Sequence, residues 1–390
     1  MSHAVILKCL RTPVAKFQGA FSSLSAPELG ATVVKALRSA VPGVEPTEAI
    51  FGNVLPAGVG QAPARQAALK GGMPSTSSAL TINKVCGSAL KAIQLAASGV
   101  LLGDHEVIVA GGMESMTNAP YLMPKLRGGA RMGHAEVLDS MIHDGLFCAM
   151  TLQSMGKTGE LVAQKYGVTR EEQDQWSLES HQKAIKAMNE GAFAAEIVPV
   201  TVAGRKGDLV VTQDEGPRAD STLEALAKLK PAFQKDGTVT AGNAPSVNDG
   251  AAAALVTTED YAKAHGLPIQ ARILGWTTAG LDPEWVTMAP VPAIQKLLAK
   301  LGWGVNDVDL WEINEAFAVQ LVATHRELKI PVDRLNIHGG AVALGHPIGA
   351  SGARVMATLL HALERTDKQR GIASLCLGGG NAIAMAVERV

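Results

Sequence analysis

Apolar positions near the start of the chain follow two rhythms. Residues 49–55 (Ala-Ile-Phe-Gly-Asn-Val-Leu) and 79–85 (Ala-Leu-Thr-Ile-Asn-Lys-Val) are short runs with the length and character of strands. Between 86 and 102 the period changes: Ala89, Leu90, Ile93, Ala97, Val100 and Leu101 recur at helical spacing. Residues 106–110 predict a third strand, ending at Gly111-Gly112, and Ala4-Val5-Ile6-Leu7 predicts one at the start. Such strand–helix–strand alternation points to an α/β unit around a buried sheet.

The last 120 residues repeat the plan. Residues 309–314 predict a strand followed by a helix from Glu315. Gly339-Gly340 and Gly345-His346-Pro347 lead into a helix over about 349–365. A strand at 371–377 meets Gly378-Gly379-Gly380, a tight turn into a final strand over 381–387. The halves run in parallel: Asn53 and Asn314 stand near strand ends, Cys86 and His346 near helix starts, and each half has a glycine cluster after its next strand. This is an internal symmetry of layout rather than a sequence repeat.

The middle, roughly 121–245, is richer in charge and poorer in strand patterns. Thr169-Arg170-Glu171-Glu172 fits a capping box for a long polar helix running to about Asn189. Residues 246–260 turn apolar again and return to the first half. The expected division is a first α/β half (1–120 plus 246–268), an inserted loop domain (121–245) and a second α/β half (269–390).

Length agrees, since 390 residues exceed one ordinary core. Hydrophobic residues at 47% and charged residues at 18% favour an ordered chain. A net charge of -1 gives no reason to expect nucleic acid as the main partner. Forty-one glycines against three tyrosines suggest tight turns and close backbone packing rather than an aromatic binding surface. The four cysteines (Cys9, Cys86, Cys148, Cys376) form no disulfide framework and no zinc-ribbon spacing, and the ten histidines include no HExxH pair. No metal is therefore expected, and the setting is expected to be reducing. The start has neither signal-peptide nor transit-peptide layout, and the end is not a peroxisomal address. No apolar run is expected to reach the length of a membrane span. A cytoplasmic protein without a membrane partner is the expectation.

Three positions carry candidate chemistry. Cys86 stands at a strand-to-helix junction, where the helix dipole and free N–H groups favour thiolate. Packing is the competing reading for any free cysteine. His346, bracketed by Gly345 and Pro347 before a helix, sits in a rigid turn, where a neutral imidazole can relay a proton. Cys376 ends a strand before three glycines, whose N–H groups suit a carbonyl oxygen or an anion. A dinucleotide loop is a poor fit, because the chain continues as a strand and not a helix. Asn314 can fix a water or donate a hydrogen bond, though alone the motif is common. Together the two thiols and the imidazole suit Claisen chemistry: one thiol takes an acyl group and the other acts as acid or base beside a thioester.

Over nearly its full length the chain resembles the thiolase family. The matching stretches occur in the family's order: Arg11-Thr12-Pro13, Gly60-Gln61-Ala62-Pro63-Ala64-Arg65-Gln66, Gly111-Gly112-Met113-Glu114-Ser115-Met116, Thr240-Ala241-Gly242-Asn243, Asn314-Glu315-Ala316-Phe317-Ala318, and the Cys86, His346 and Cys376 segments. The resemblance implies two similar βαβαβαββ halves in a five-layer αβαβα arrangement, with an inserted loop domain. It implies that Cys86 is acylated and that His346 takes its proton and later activates coenzyme A. Asn314 would position a water in the oxyanion hole that the His346 ring helps to form. Cys376 would be the acid/base at the α-carbon, and the N–H groups of Cys86 and Gly378 would form a second oxyanion hole. Coenzyme A and acyl-CoA would be substrates, with no tightly bound cofactor, and the assembly a homodimer or homotetramer. Arg218 matches a family arginine at the adenine end, and Ser246, Met155 and Phe317 fall in segments expected to touch substrate.

Three departures change the expected pocket. Where many acetoacetyl-CoA-type members have His-Met-Gly, this chain has Ser154-Met155-Gly156. Thr158-Gly159-Glu160 replaces Thr-Ala-Glu, and Asn243-Ala244-Pro245-Ser246 replaces Asn-Ala-Ser-Gly. Longer or different acyl chains are the resulting expectation. The rival readings are a ketosynthase-like condensing enzyme, which would be expected to lack the second active-site cysteine, and a non-catalytic acyl-CoA or lipid carrier, which would be expected to have lost Cys86, His346 or Cys376.

Overall fold

The computed structural model describes residues 2–390. Nine strands form its main sheet, joined by a two-residue strand at Ala15–Lys16. They are β1 (Ala4–Arg11), β2 (Glu48–Gly52), β3 (Ser78–Ile82), β4 (Val107–Ser115), β5 (Asn248–Thr258), β6 (Ala271–Gly280), β7 (Leu310–Ile313), β8 (Arg370–Leu377) and β9 (Asn381–Arg389). The spatial order is β7-β8-β9-β6-β1-β5-β4-β2-β3. In the first half β1–β5 and β5–β4 pair antiparallel, while β4–β2 and β2–β3 pair parallel. The second half repeats this: β6–β9 and β9–β8 antiparallel, β8–β7 parallel. Its counterpart of β3 is a single parallel bridge, Trp311 to Leu335. The halves join where Ala4–Ile6 pairs with Ala271–Ile273.

Period-two alternation explains the layers. On β2, Ile50 faces one apolar cluster while Ala49 and Phe51 face another; on β4, Ile108 and Ala110 oppose Val107 and Val109 in the same way. Both faces are thus buried. Helices α1 (Ala26–Ala40) and α2 (Pro63–Lys70) cover the outer face of the first half. Helices α3 (Ser88–Leu102) and α8 (Ser351–Arg365) pack against each other between the two halves of the sheet. Helices α6 (Pro290–Leu301) and α7 (Ala318–Leu328) lie on the second half. This gives the expected five layers. The long helix α5 (Arg170–Asn189) follows α4 (Met155–Tyr166) and starts with the predicted cap, Thr169 Oγ1 accepting from Glu172 N at 3.3 Å.

Local structure departs from the sequence reading at four places. Gly111 and Gly112 do not end a strand; β4 runs through them to Ser115. A Cβ on Gly112 would stand 1.9 Å from the Gly349 carbonyl oxygen, so the glycines admit a close neighbour rather than a turn. The strand expected to 85 stops at Ile82, because Asn83 Oδ1 accepts from Val85 N at 2.9 Å and Val85 takes φ 47°. The helix expected from Glu315 begins at Ala318, since the buried Glu315 carboxylate accepts from Trp176 Nε1 (3.0 Å), Ser180 Oγ (2.8 Å) and Val342 N (2.9 Å). Finally, Val85–Leu102, with mean hydropathy 1.6, does reach a spanning length by composition; half of it is buried as the core helix α3.

Candidate active site

The Cys86 turn, between β3 and α3, and the His346 turn, between a one-turn helix at Ala341–Leu344 and α8, open on a common cavity of about 270 Å³. Cys86, His346, Cys376 and Gly378 all line it, with Ser154, Met155, Ser246 and Phe317. Most other lining side chains are apolar, among them Met116, Ile142, Leu146, Phe233, Val286 and Ile348. Thr287 also lines it, and its buried hydroxyl has no hydrogen-bond partner in the protein.

The Cys86 turn is fixed by Ser88, whose hydroxyl accepts from Lys84 N (2.8 Å) and donates to the Val85 carbonyl (2.7 Å). Val85 is β-branched and left-handed, a strained conformation that presents the next residue to the cavity. Gly87 then lets the turn meet the end of β8: a Cβ there would stand 2.3 Å from Leu377 Cδ2. This brings the Cys86 thiol beside Cys376 and the Gly378 N–H.

The expected thiolate is not the resting form. Burial pushes the Cys86 thiol up to about 11, although the N–H groups of Gly378 and of Cys86 itself pull it down; the charge of Glu114 adds to the rise. Desolvation outweighs the helix start here, because the half-buried thiol faces an apolar chamber. Cys376 is pushed higher still by burial and by Cys86.

His346 is held from both sides. Its N–H donates to Asn248 Oδ1 (2.8 Å), and its ring Nδ1 lies 2.6 Å from Ser351 Oγ. The Ser351 hydroxyl donates to the Pro347 carbonyl (2.8 Å), so its oxygen accepts from Nδ1–H and the Nε2 lone pair is left free. Burial and the positive Arg354 lower the His346 pKa to about 3, so the ring is neutral at pH 7.

The remaining candidates are dispersed. Asn314 is 1% exposed and does not line the cavity, but both its side-chain polar atoms are without a protein partner. Arg218 lies outside the cavity, in a neighbouring cleft with Lys16, Phe17 and His181; that cleft shares Ser246, Ala244 and Val247 with the cavity. No cluster of three or more His, Cys, Asp or Glu with metal-binding placement occurs among the described residues.

Sequence reasoning missed Asn248, Ser351, Thr287 and Glu114 as site residues. Glu114 had a visible signal, a carboxylate in a strand that is otherwise apolar and glycine-rich. Ser351 and Asn248 had none, because their roles come from contacts made across a turn or between strands.

A strained cysteine turn, a neutral imidazole and a second thiol before a glycine hairpin thus line one cavity, in an α/β fold whose halves repeat one topology. The chain belongs to the thiolase family: the thiolase N-terminal domain matches residues 4–260 and the C-terminal domain residues 267–389. It is 53% identical to the acetyl-CoA acetyltransferase of Pseudomonas aeruginosa and 51% identical to that of Escherichia coli, each alignment covering 100% of both chains. It is 50% identical to a probable acetyl-CoA acyltransferase of Staphylococcus epidermidis over 100% of this chain and 99% of that one. The crystal structure of the Bacillus anthracis acetyl-CoA acetyltransferase superposes with a TM-score of 0.98 at 42% identity, covering 100% of this chain and 99% of that one.

Proposed function

We propose that this chain is an acetyl-CoA C-acyltransferase that cleaves 3-ketoacyl-CoA with coenzyme A, or runs the condensation in reverse. The observation that carries the reading is the meeting of Cys86, His346 and Cys376 on one apolar cavity. In the cleavage direction Cys86 Sγ attacks the 3-keto carbon and its proton passes to His346 Nε2. Once protonated, Nε2 becomes a donor to the oxyanion, beside a water held by Asn314. The C2–C3 bond breaks, the pair of electrons stays on C2, and Cys376 delivers the proton that completes acetyl-CoA. The N–H groups of Cys86 and Gly378 stabilise the thioester enolate oxygen in that step. The Cys376 thiolate takes back a proton from the His346 imidazolium, so both groups are neutral again; coenzyme A then gives its thiol proton to His346 and attacks the acyl-Cys86 carbonyl. Sγ leaves as a thiolate and recovers a proton from the imidazolium.

Neutral starting forms support this order. With the thiol near 11 and the imidazole near 3, the ion pair forms only as the new bond forms. Arg218 and Ser246 line the cleft that would take the nucleotide and pantetheine of coenzyme A, with Met155 and Phe317 nearer the acyl group. Residues 121–245 act as the loop domain over this entrance, between halves at 1–120 plus 246–268 and at 269–390. The exposed edge strand β3, with Leu80 43% exposed, supports assembly as a homodimer or homotetramer. The four free cysteines fit a reducing compartment such as the cytoplasm. No tightly bound cofactor is needed, because coenzyme A and acyl-CoA supply the chemistry.

The apolar walls, with Ser154 in place of a histidine, support acyl chains longer than acetyl. The test is coenzyme A-dependent cleavage of a 3-ketoacyl-CoA series with Cys86→Ala as control. Turnover should peak at roughly six to ten carbons, where each buried CH2 contributes about 0.8 kcal/mol, and vanish in the variant. Equal or better turnover of acetoacetyl-CoA would overturn the chain-length reading; no turnover at any length would overturn the reading as a thiolase.

A further inference from the structure

Glu114 is a carboxylate buried in the middle of the molecule, at the end of β4, where no step above employs it. Its two oxygens accept four hydrogen bonds. Oε1 takes Asn53 Nδ2 (2.7 Å) and Leu55 N (3.1 Å); Oε2 takes Val54 N (3.0 Å) and Gly349 N (2.8 Å). Three donors belong to the exit loop of β2, and the fourth to the turn that carries His346. Val54 and Leu55 pack with Ile348 of that same turn and with Cys86. A single oxygen therefore ties the floor beneath the nucleophile to the turn of the base.

The fit is tight and specific to a carboxylate. A Cβ on Gly349 would stand 2.6 Å from Glu114 Oε2, so a side chain there would occupy the carboxylate's place. All four facing groups are donors, so an ionised carboxylate satisfies them and an amide cannot. Asn53 and Glu114 come from the first half, His346 and Gly349 from the second.

We propose that Glu114 is a positioning residue for the thiolase reaction, fixing the Cys86 floor and the His346 turn relative to each other through its ionised carboxylate. The inference rests on the function proposed above. Burial raises the Glu114 pKa to about 7, against the pull of the N–H groups of Val54, Leu55 and Gly349 and the Asn53 amide. The titratable group that feels its charge is Cys86, in the turn before α3, while its contact with the His346 turn is through Gly349 N. On β5 its register partner is Gly250, and the neighbouring Asp249 turns to Thr117 N. Cys86 titrates near 11 and His346 near 3, so Glu114 is the group of this centre that titrates near neutrality. Its ionised form holds the turns, so turnover should fall as pH drops through 7.

The test compares wild type with Glu114→Gln and Glu114→Asp, reading kcat, KM, the pH profile of thiolysis, and alkylation of Cys86 by iodoacetamide followed on its own peptide by mass. In Glu114→Gln kcat should fall on the order of 10²-fold, the loss a misplacement of about 1 Å can cause, with KM little changed and the acid limb near pH 7 gone. Glu114→Asp should restore part of kcat together with an acid limb. The alkylation readout needs no turnover: log rate against pH should bend near 7 in wild type, as the Glu114 charge appears, and run straight in Glu114→Gln. If thiolysis is absent but the bend is present, is lost in Glu114→Gln and is weakened in Glu114→Asp, which keeps the charge but not the reach, the positioning role stands and the function reading fails; a full bend in Glu114→Asp would reduce the role to charge alone and overturn it. If wild type shows neither limb nor bend, or Glu114→Gln keeps both, the role is overturned. Wild type alone suffices to overturn it should the variants not fold.

Discussion

The Cys86 junction and the His346 turn occupy equivalent places in two halves of the same topology, and they do opposite things. Each precedes a 15-residue helix, α3 or α8, packed at the centre of the molecule. In the first half a β-branched residue in the left-handed region presents a thiol; in the second, Gly345 at φ 100° presents an imidazole. The first turn is fixed by its own chain, through Ser88 and Asn83. The second is fixed largely from the other half, by Asn248 and Glu114. The repeated topology supplies two comparable turns, and a few differing residues put a thiol on one and an imidazole on the other.

Removing the second half's contribution is the harshest test of that comparison. His346→Ala should lower kcat by about 10²–10⁴-fold, the usual range for a general acid–base group, in steady-state thiolysis. A loss below tenfold would mean that Cys86 finds its base elsewhere. Next in size is the contact between halves. Gly112→Ala places a methyl 1.9 Å from the Gly349 carbonyl oxygen, and backbone cannot yield cheaply. Overpacking of this kind costs about 1–3 kcal/mol, which a lowered Tm in thermal unfolding should register; an unchanged Tm would show that the halves can slide apart. The smallest effect concerns the tautomer. Ser351→Ala removes the acceptor of the His346 Nδ1 proton and leaves a buried donor unpaired, a loss of about 1–3 kcal/mol, or roughly 5- to 100-fold in rate. The loss should appear in kcat and in slower acylation in single-turnover kinetics, and KM should stay near wild type.

Much of this is legible in the chain's local patterns. The helix from Arg170 to Asn189 was marked by its capping box, a local interaction that sequence spacing encodes. The sheet strands were marked by apolar runs, and Cys86, His346 and Cys376 by their junctions. Asn248 carried no signal as a site residue, because its partner lies in the other half; Glu114 stood out as a carboxylate in an apolar strand, but its partners were not legible. The ionisation of Cys86 went the other way from the local expectation. A helix start is a local feature, whereas desolvation depends on every element that closes the cavity.

Local sequence was enough for the alternation of strands and helices, the doubled layout and the choice of Cys86, His346 and Cys376 as candidate groups. These follow from periodicity, capping and residue chemistry, all short-range properties of the chain. The tertiary structure alone decided that both turns open on one cavity, that thiol and imidazole rest uncharged, and that one buried carboxylate bonds both the 53–55 loop and the His346 turn. Each of these depends on burial and on contacts between residues distant in the chain, which no local spacing specifies.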